Sequence, residues 1–184
     1  MKSEMHAVGF LLLFIFLFVF FSSSCTGITA QDKSEYTKND FTVEVRGSIE
    51  EKEIGAILYS RPHAEGEEAR AILRFTYPDS LCGMTATLSA NGEQSLRLGD
   101  TVTDADGIYS LTEPFRPIYE MGEPYSLTKD AKGEEKVRIC DENCDLVYIF
   151  PKNSITPSSI RGEVGGRYID LELTNFSFYF DFDE

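Results

Sequence analysis

FTVEVRGSI, residues Phe41–Ile49, alternates apolar and polar side chains from end to end. Phe41, Val43, Val45, Gly47 and Ile49 fall on one face, and Thr42, Glu44, Arg46 and Ser48 on the other. A repeat of two is the signature of a strand with one face buried. The charged turn Glu50–Glu53 follows, and then Ile54–Ser60 (IGAILYS), a second strand. Ala69–Tyr77 (ARAILRFTY) repeats the pattern, with Ala69, Ala71, Leu73 and Phe75 on one side. Met84, Ala86, Leu88 and Ala90 continue it and run into Asn91-Gly92, a pair that favours a type I′ hairpin with φ > 0 at both positions.

The remainder reads the same way. Ile108–Leu111, Val137–Cys140, Leu146–Phe150, Ile160–Val164 and Arg167–Thr174 are strand candidates, and Gly165-Gly166 marks a second two-residue turn. The tail from Phe176 to Glu184 puts Phe176, Phe178, Phe180 and Phe182 on one face, which reads as core. Glu113–Glu123 (EPFRPIYEMGE) is the one stretch with a helical grouping, through Phe115, Ile118 and Tyr119; Pro117 holds it to about one or two turns. About eight to ten short strands joined by tight turns predict a mainly β chain. The expected form is an antiparallel meander making a curled sheet, half-barrel or sandwich, with at most one or two short helices.

Ahead of this domain lies AVGFLLLFIFLFVFFSSSC, Ala7–Cys25. Its apolar run is shorter than the roughly 20 residues of a membrane span and matches the core of a secretory signal peptide. Ser22-Ser23-Ser24-Cys25 resembles the cleavage and lipidation site of bacterial lipoproteins, where a small residue precedes a cysteine that is thioether-linked to diacylglycerol. The resemblance implies a signal peptide over 1–24 and lipidation on Cys25. Ile28-Thr29-Ala30 offers an alternative cut for ordinary signal peptidase, and an uncleaved anchor is the third option. Thr26–Asn39 is small and polar, so residues 25–39 read as a flexible tether and 40–184 as one β-rich extracytoplasmic domain.

The layout also resembles small exported lipoproteins of Firmicutes type. Phe41–Ile49, Tyr77–Met84 (YPDSLCGM), Leu96–Asp100 and Tyr168–Phe178 (YIDLELTNFSF) carry that resemblance. It is similar in turn to the lipoprotein-carrier fold of LolA and LppX, a half-barrel lidded by short helices. That likeness implies an apolar concavity able to hold an acyl chain, and an anchor in the membrane through the N-terminal lipid.

Charge narrows the function further. The chain of 184 residues carries a formal net charge of −14, and the leader holds one Lys and one Glu, so the exported part is equally acidic. Such a surface repels nucleic acid. His63 is the one histidine beyond the leader and has no nucleophile motif to serve, so no catalytic residue is expected and the chain reads as no enzyme. Asp104, Asp106, Gly107 and Glu113 sit at EF-hand positions, but Val102 stands where the first ligand belongs; an acidic turn is the better reading, and no metal or cofactor is expected. Cys140 and Cys144 bracket Asp141-Glu142-Asn143, and a hairpin there would bring them to disulfide distance; otherwise they are two small residues at strand ends. Cys82 reads as buried filler. The function expected is non-enzymatic binding of an apolar small molecule or acyl chain, with an envelope module for protein or glycan as the alternative.

Overall fold

The computed structural model describes residues 30–103 and 111–178. Cys25, the rest of the leader, residues 104–110 and the tail from Tyr179 onward lie outside the described residues. The described chain is one antiparallel sheet of eleven strands that does not close. Its strands are β1 (Phe41–Ile49), β2 (Lys52–Ser60), β3 (Ala69–Tyr77), β4 (Met84–Ser89), β5 (Gln94–Leu98), β6 (Thr101–Thr103), β7 (Ser126–Lys129), β8 (Glu135–Cys140), β9 (Cys144–Phe150), β10 (Ser159–Val164) and β11 (Arg167–Ser177). The spatial order is β6-β5-β4-β3-β2-β1-β11-β10-β9-β8-β7. Two meanders thus meet at the β1–β11 pair, which places the first and last strands at the centre and β6 and β7 at the free edges.

Alternation decides the faces. In β1, Phe41, Val43 and Val45 are buried while Arg46 is exposed; in β8, Val137 and Ile139 are buried while Lys136 and Arg138 face water. Leu58, Leu73, Phe75, Leu146, Phe150, Ile160, Ile169 and Leu171 complete the inner wall. Burying such a side chain stabilises by about 1.5–3 kcal/mol, so this wall is the main source of stability.

The curl has a local cause at two glycines. A Cβ on Gly47 in β1 would lie 2.0 Å from the Asp170 carbonyl oxygen, and one on Gly162 in β10 would lie 2.0 Å from that of Asp145. Bare Cα atoms let neighbouring backbone press close and bend the sheet. Register shifts at Thr42/Glu44, Gly55/Ala56 and Ala69/Ala71 add twist.

Several turns differ from the sequence reading. Gly165 and Gly166 have φ of 56° and 75°, the two-residue turn expected. Gly92 has φ of 90°, but Asn91 does not have positive φ: Gly92 N–H donates to Ser89 carbonyl at 3.0 Å, and Ser89 N–H to Glu93 carbonyl at 2.9 Å. That is a type I turn closed by a glycine bulge, not type I′. The β1–β2 turn takes Glu50 and Glu51 through φ of 49° and 67°, left-handed backbone on two residues that bear a Cβ.

Within the stretch read as a flexible tether, the described part, residues 30–39, is ordered. Ala30–Lys38 is a 3-10 helix in which Lys33 and Tyr36 are fully buried. A cationic residue and a phenol are poor sequence signals for core, and they are drawn inward by partners on distant strands.

Candidate functional site

The topology explains why the concave face is covered. The chain leaves edge β6 and must reach the opposite edge, β7. The connection carries Glu113–Phe115, a 3-10 turn, and Arg116–Tyr119, a single α turn, with Pro114 and Pro117 at first-turn positions where a missing N–H costs nothing. Phe115 and Ile118 are fully buried and Tyr119 nearly so. Phe115 meets Phe75 edge to face, with ring centroids 5.9 Å apart. Polar ties hold this central lid on both flanks. Thr112 Oγ1 donates to Gln94 Oε1 at 3.1 Å on β5, Arg70 on β3 pairs with Glu120 at 3.0 Å, and Tyr148 Oη on β9 donates to the Pro117 carbonyl at 3.0 Å.

The N-terminal helix covers the concave face from a different direction. Tyr36 packs on Phe41 and Phe176, at 5.7 and 5.9 Å between centroids, and Phe178 extends this aromatic group. Lys33 Nζ lies 2.6 Å from Glu135 Oε2, donates to the Ser154 carbonyl at 2.6 Å, and stands 4.9 Å from the Phe150 ring centre. Lys129 approaches the other Glu135 oxygen at 3.0 Å. The Lys33 hydrogen bond, aided by Lys129, outweighs desolvation and holds the Glu135 carboxyl below its usual range. Together these contacts form a latch between the N-terminal helix and β8.

Beneath the two lids the environment is mostly apolar, and the buried polar groups Lys33, Glu135 and Tyr148 have the partners named above. The Tyr36 hydroxyl is fully buried and has no hydrogen-bond partner among the described residues. Burial raises its phenol far above the ordinary value. The Tyr148 phenol is raised by burial and secondarily by Tyr36. An unsatisfied buried hydroxyl costs about 1–3 kcal/mol. The Thr42 hydroxyl is also buried without a partner among the described residues, but it belongs to the opposite face of β1 from Phe41 and Val43.

A crevice of about 250 Å³ opens between the central lid and β8–β10. Met121, Ile139, Leu146 and Val164 line its apolar part, and Arg116, Glu120 and Asp141 its rim. Tyr148 reaches it from within.

Cys140 and Cys144 are separate free thiols. Cys140 pairs with Asp145, so its side chain shares the outer face with Asp145, and Cys144, one residue earlier, points inward beside Leu146. The expected clip is therefore not made, because the register is one residue away from the one it needs. Asp141 sets that register: its Oδ1 accepts from Asn143 N–H at 2.7 Å and Cys144 N–H at 2.9 Å. Burial, then Asp141, pushes the Cys144 thiol up to about 11, away from thiolate chemistry. Cys82 is exposed rather than buried filler. His63 Nε2 is 2.9 Å from the Lys38 carbonyl in an exposed loop. Most of the acidic Val102–Glu113 stretch and the lipidation candidate Cys25 lie outside the described residues.

Sequence reasoning missed Lys33, Tyr36 and Glu135. The only available signal was an aromatic residue inside a polar tether.

No family model and no curated protein matches this sequence. Among solved structures, the chain is similar to an uncharacterized conserved protein of Thermus thermophilus, with 17% identity, 82% of this chain and 85% of that one covered, and a TM-score of 0.51. That likeness shows the fold. A LolA superfamily protein of Nitrosomonas europaea has 13% identity, coverage of 85% and 96%, and a TM-score of 0.45. The lipoprotein LppX of Mycobacterium tuberculosis has 11% identity, coverage of 83% and 95%, and a TM-score of 0.46. The fold class read from the sequence, a mainly β antiparallel meander forming a curled sheet, half-barrel or sandwich, is observed as one unclosed, curled, half-barrel-like sheet.

Proposed function

We propose that this chain is an exported, non-enzymatic binding protein, tethered to the membrane by lipid on Cys25, whose concave face takes up an acyl chain or similar amphiphile beneath the two lids. One observation carries the reading: the Tyr36 hydroxyl, buried with no partner among the described residues in a mostly apolar interior. A ligand carbonyl or hydroxyl placed there would accept or donate the missing hydrogen bond while its chain replaces lid side chains on the sheet.

The covering supports this. A curled sheet with one apolar face would normally be closed by a second sheet or long helices. Here short segments do it, anchored by a few polar ties that can open without disturbing the strand ladder. The crevice beside Met121 and Ile139 is the entrance on this reading.

The test uses the full chain expressed with its leader and extracted from membranes in mild detergent. Native mass spectrometry should find a diacylglycerol adduct on Cys25 and, separately, a non-covalent apolar ligand. Dansyl-undecanoic acid should bind the protein and be displaced by oleate, and Tyr36→Phe should weaken it about tenfold, the worth of one hydrogen bond. Absence of any retained ligand together with no dansyl binding would overturn the carrier reading. An unmodified mature form starting at Gln31 would overturn the anchor alone.

A further inference from the structure

The convex face of the sheet carries a second concavity, of about 700 Å³, within the roughly 300–1,000 Å³ of small-molecule sites. The strand register gives its plan. Tyr77 on β3, Gly55 on β2, Arg46 on β1 and Glu172 on β11 stand opposite one another in one row. Two residues along, Glu53, Ser48, Asp170 and Arg161 make a second row across β2, β1, β11 and β10. Opposite residues share a face, and Arg46 faces away from the buried Val45, so both rows lie on the outer side. Gly55 and Ser48 form a low floor. Tyr77 and Glu53 stand on one bank, and the charged residues of β1, β10 and β11 on the other.

One charged pair of the groove is fixed by a direct contact. Arg161 Nε lies 2.7 Å from Asp170 Oδ1. Glu53 lies one row along from Tyr77 on the neighbouring strand, and its carboxylate raises the phenol. Glu172 sits directly across from Arg46. At Gly55 a Cβ would be 3.0 Å from Thr76 Oγ1 and 3.2 Å from Tyr77 Cβ, so the register shift at this point presses Tyr77 against the bare floor. Tyr77 is nevertheless 46% exposed, and Tyr168, on the same face two residues from Asp170, is 56% exposed.

This chemistry selects its ligand. The lining holds two arginines and three carboxylates, with Arg161 paired to Asp170 and Arg46 across from Glu172, so the groove is close to neutral and offers little net charge to attract an ion of either sign. What the groove offers is a dense set of planar donors and acceptors beside an exposed aromatic ring. Hydroxyl groups can use those donors and acceptors, and the C–H face of a sugar ring can lie on tyrosine. We infer that the outer groove between Tyr77 and Arg161 is a binding site for a neutral oligosaccharide of about two or three units, the length set by a row of four strands spanning roughly 14 Å. The groove lies on the opposite side of the sheet from the lidded face, so this assignment does not depend on the acyl-chain reading.

The test is isothermal titration of the detergent-solubilised full chain with chitotriose, cellotriose and maltotriose. At least one should bind. Tyr77→Ala and Arg46→Ala should each weaken it about tenfold or more, and Tyr77→Phe, which keeps the ring, should weaken it less. Arg138→Ala serves as the control: Arg138 is another outer-face arginine, paired to Asp145 at 2.6 Å and absent from the groove lining, and it should bind like wild type. Circular dichroism of each variant separates loss of the site from loss of the fold, and Arg46→Ala carries the test if Tyr77→Ala does not fold. Binding by none of the three sugars, equal loss in the Arg138→Ala control, or binding of a tri-alanine peptide in their place would overturn the assignment.

Discussion

Replacing Glu135 by Gln removes the counter-charge of Lys33, which is fully buried and 2.6 Å away. Stranding one member of a buried pair costs about 3–5 kcal/mol. The ion pair with the half-exposed Lys129 goes as well, and it is worth less than about 1 kcal/mol. The chain has a cheaper response than unfolding. Undocking the N-terminal helix hydrates Lys33 and forfeits chiefly the burial of Tyr36, roughly 2–3 kcal/mol. The unpaired Tyr36 hydroxyl, which costs about 1–3 kcal/mol when buried, offsets much of that loss. Glu135→Gln should therefore release residues 30–38 while the sheet stays folded, with a fall of about 1–3 kcal/mol in urea stability. Trypsin reports it directly: Lys33 is inaccessible when docked and should be cut at least about tenfold faster in the variant. In Lys33→Met/Glu135→Leu both charges are gone, and docking should return to near wild type. Unchanged cleavage at Lys33 in the single variant, or a helix that stays undocked in the double variant, with hydrogen exchange over residues 30–38 as fast as in the single variant, would refute the latch. The same pair sets a pH dependence. The Glu135 carboxyl is depressed in the folded state, so its contribution is present above the ordinary carboxylate range, near pH 4 to 5, and is lost as pH falls through the lower folded value. Release of the helix at neutral or alkaline pH would contradict this sign.

Three further outcomes follow from particular residues. Glu50-Glu51→Asn-Gly places residues suited to left-handed backbone at φ of 49° and 67°, and should raise stability by about 1–2 kcal/mol in urea melts. Tyr36→Phe removes the orphaned hydroxyl and should stabilise the ligand-free protein by about 1 kcal/mol, even as acyl-probe affinity falls; a destabilised variant would mean that the hydroxyl has a partner. Gly162→Ala drives a Cβ to 2.0 Å from the Asp145 carbonyl oxygen and should cost more than about 2 kcal/mol, with loss of the β9–β10 pairing in hydrogen exchange.

The sequence alone determined most of the strands and which of their faces turns inward; the short edge strands β6 and β7 carried no such signal, and Leu111, read as strand, is helical. Alternation from Phe41 to Val45, and again from Val137 to Ile139, is a local property of a chain whose side chains point to opposite sides in turn. The Gly165-Gly166 turn was legible for the same reason, since two adjacent glycines satisfy a two-residue turn without help from elsewhere. Tertiary structure alone decided everything that depends on contacts between distant strands. Lys33 is buried because Glu135, Phe150 and Ser154 converge on it, the last of these 121 residues further along the chain. No local period could have shown that a lysine in a polar stretch belongs to the interior. Cys140 and Cys144 part company because pairing places Cys140 opposite Asp145, and a one-residue difference in register sends adjacent side chains to opposite faces. The outer groove draws on five strands, with Tyr77 and Arg161 each ordinary in its own segment. Strand periodicity is written within a few residues, whereas register, lid docking and the convergence of side chains are free-energy balances settled only when the whole sheet has formed.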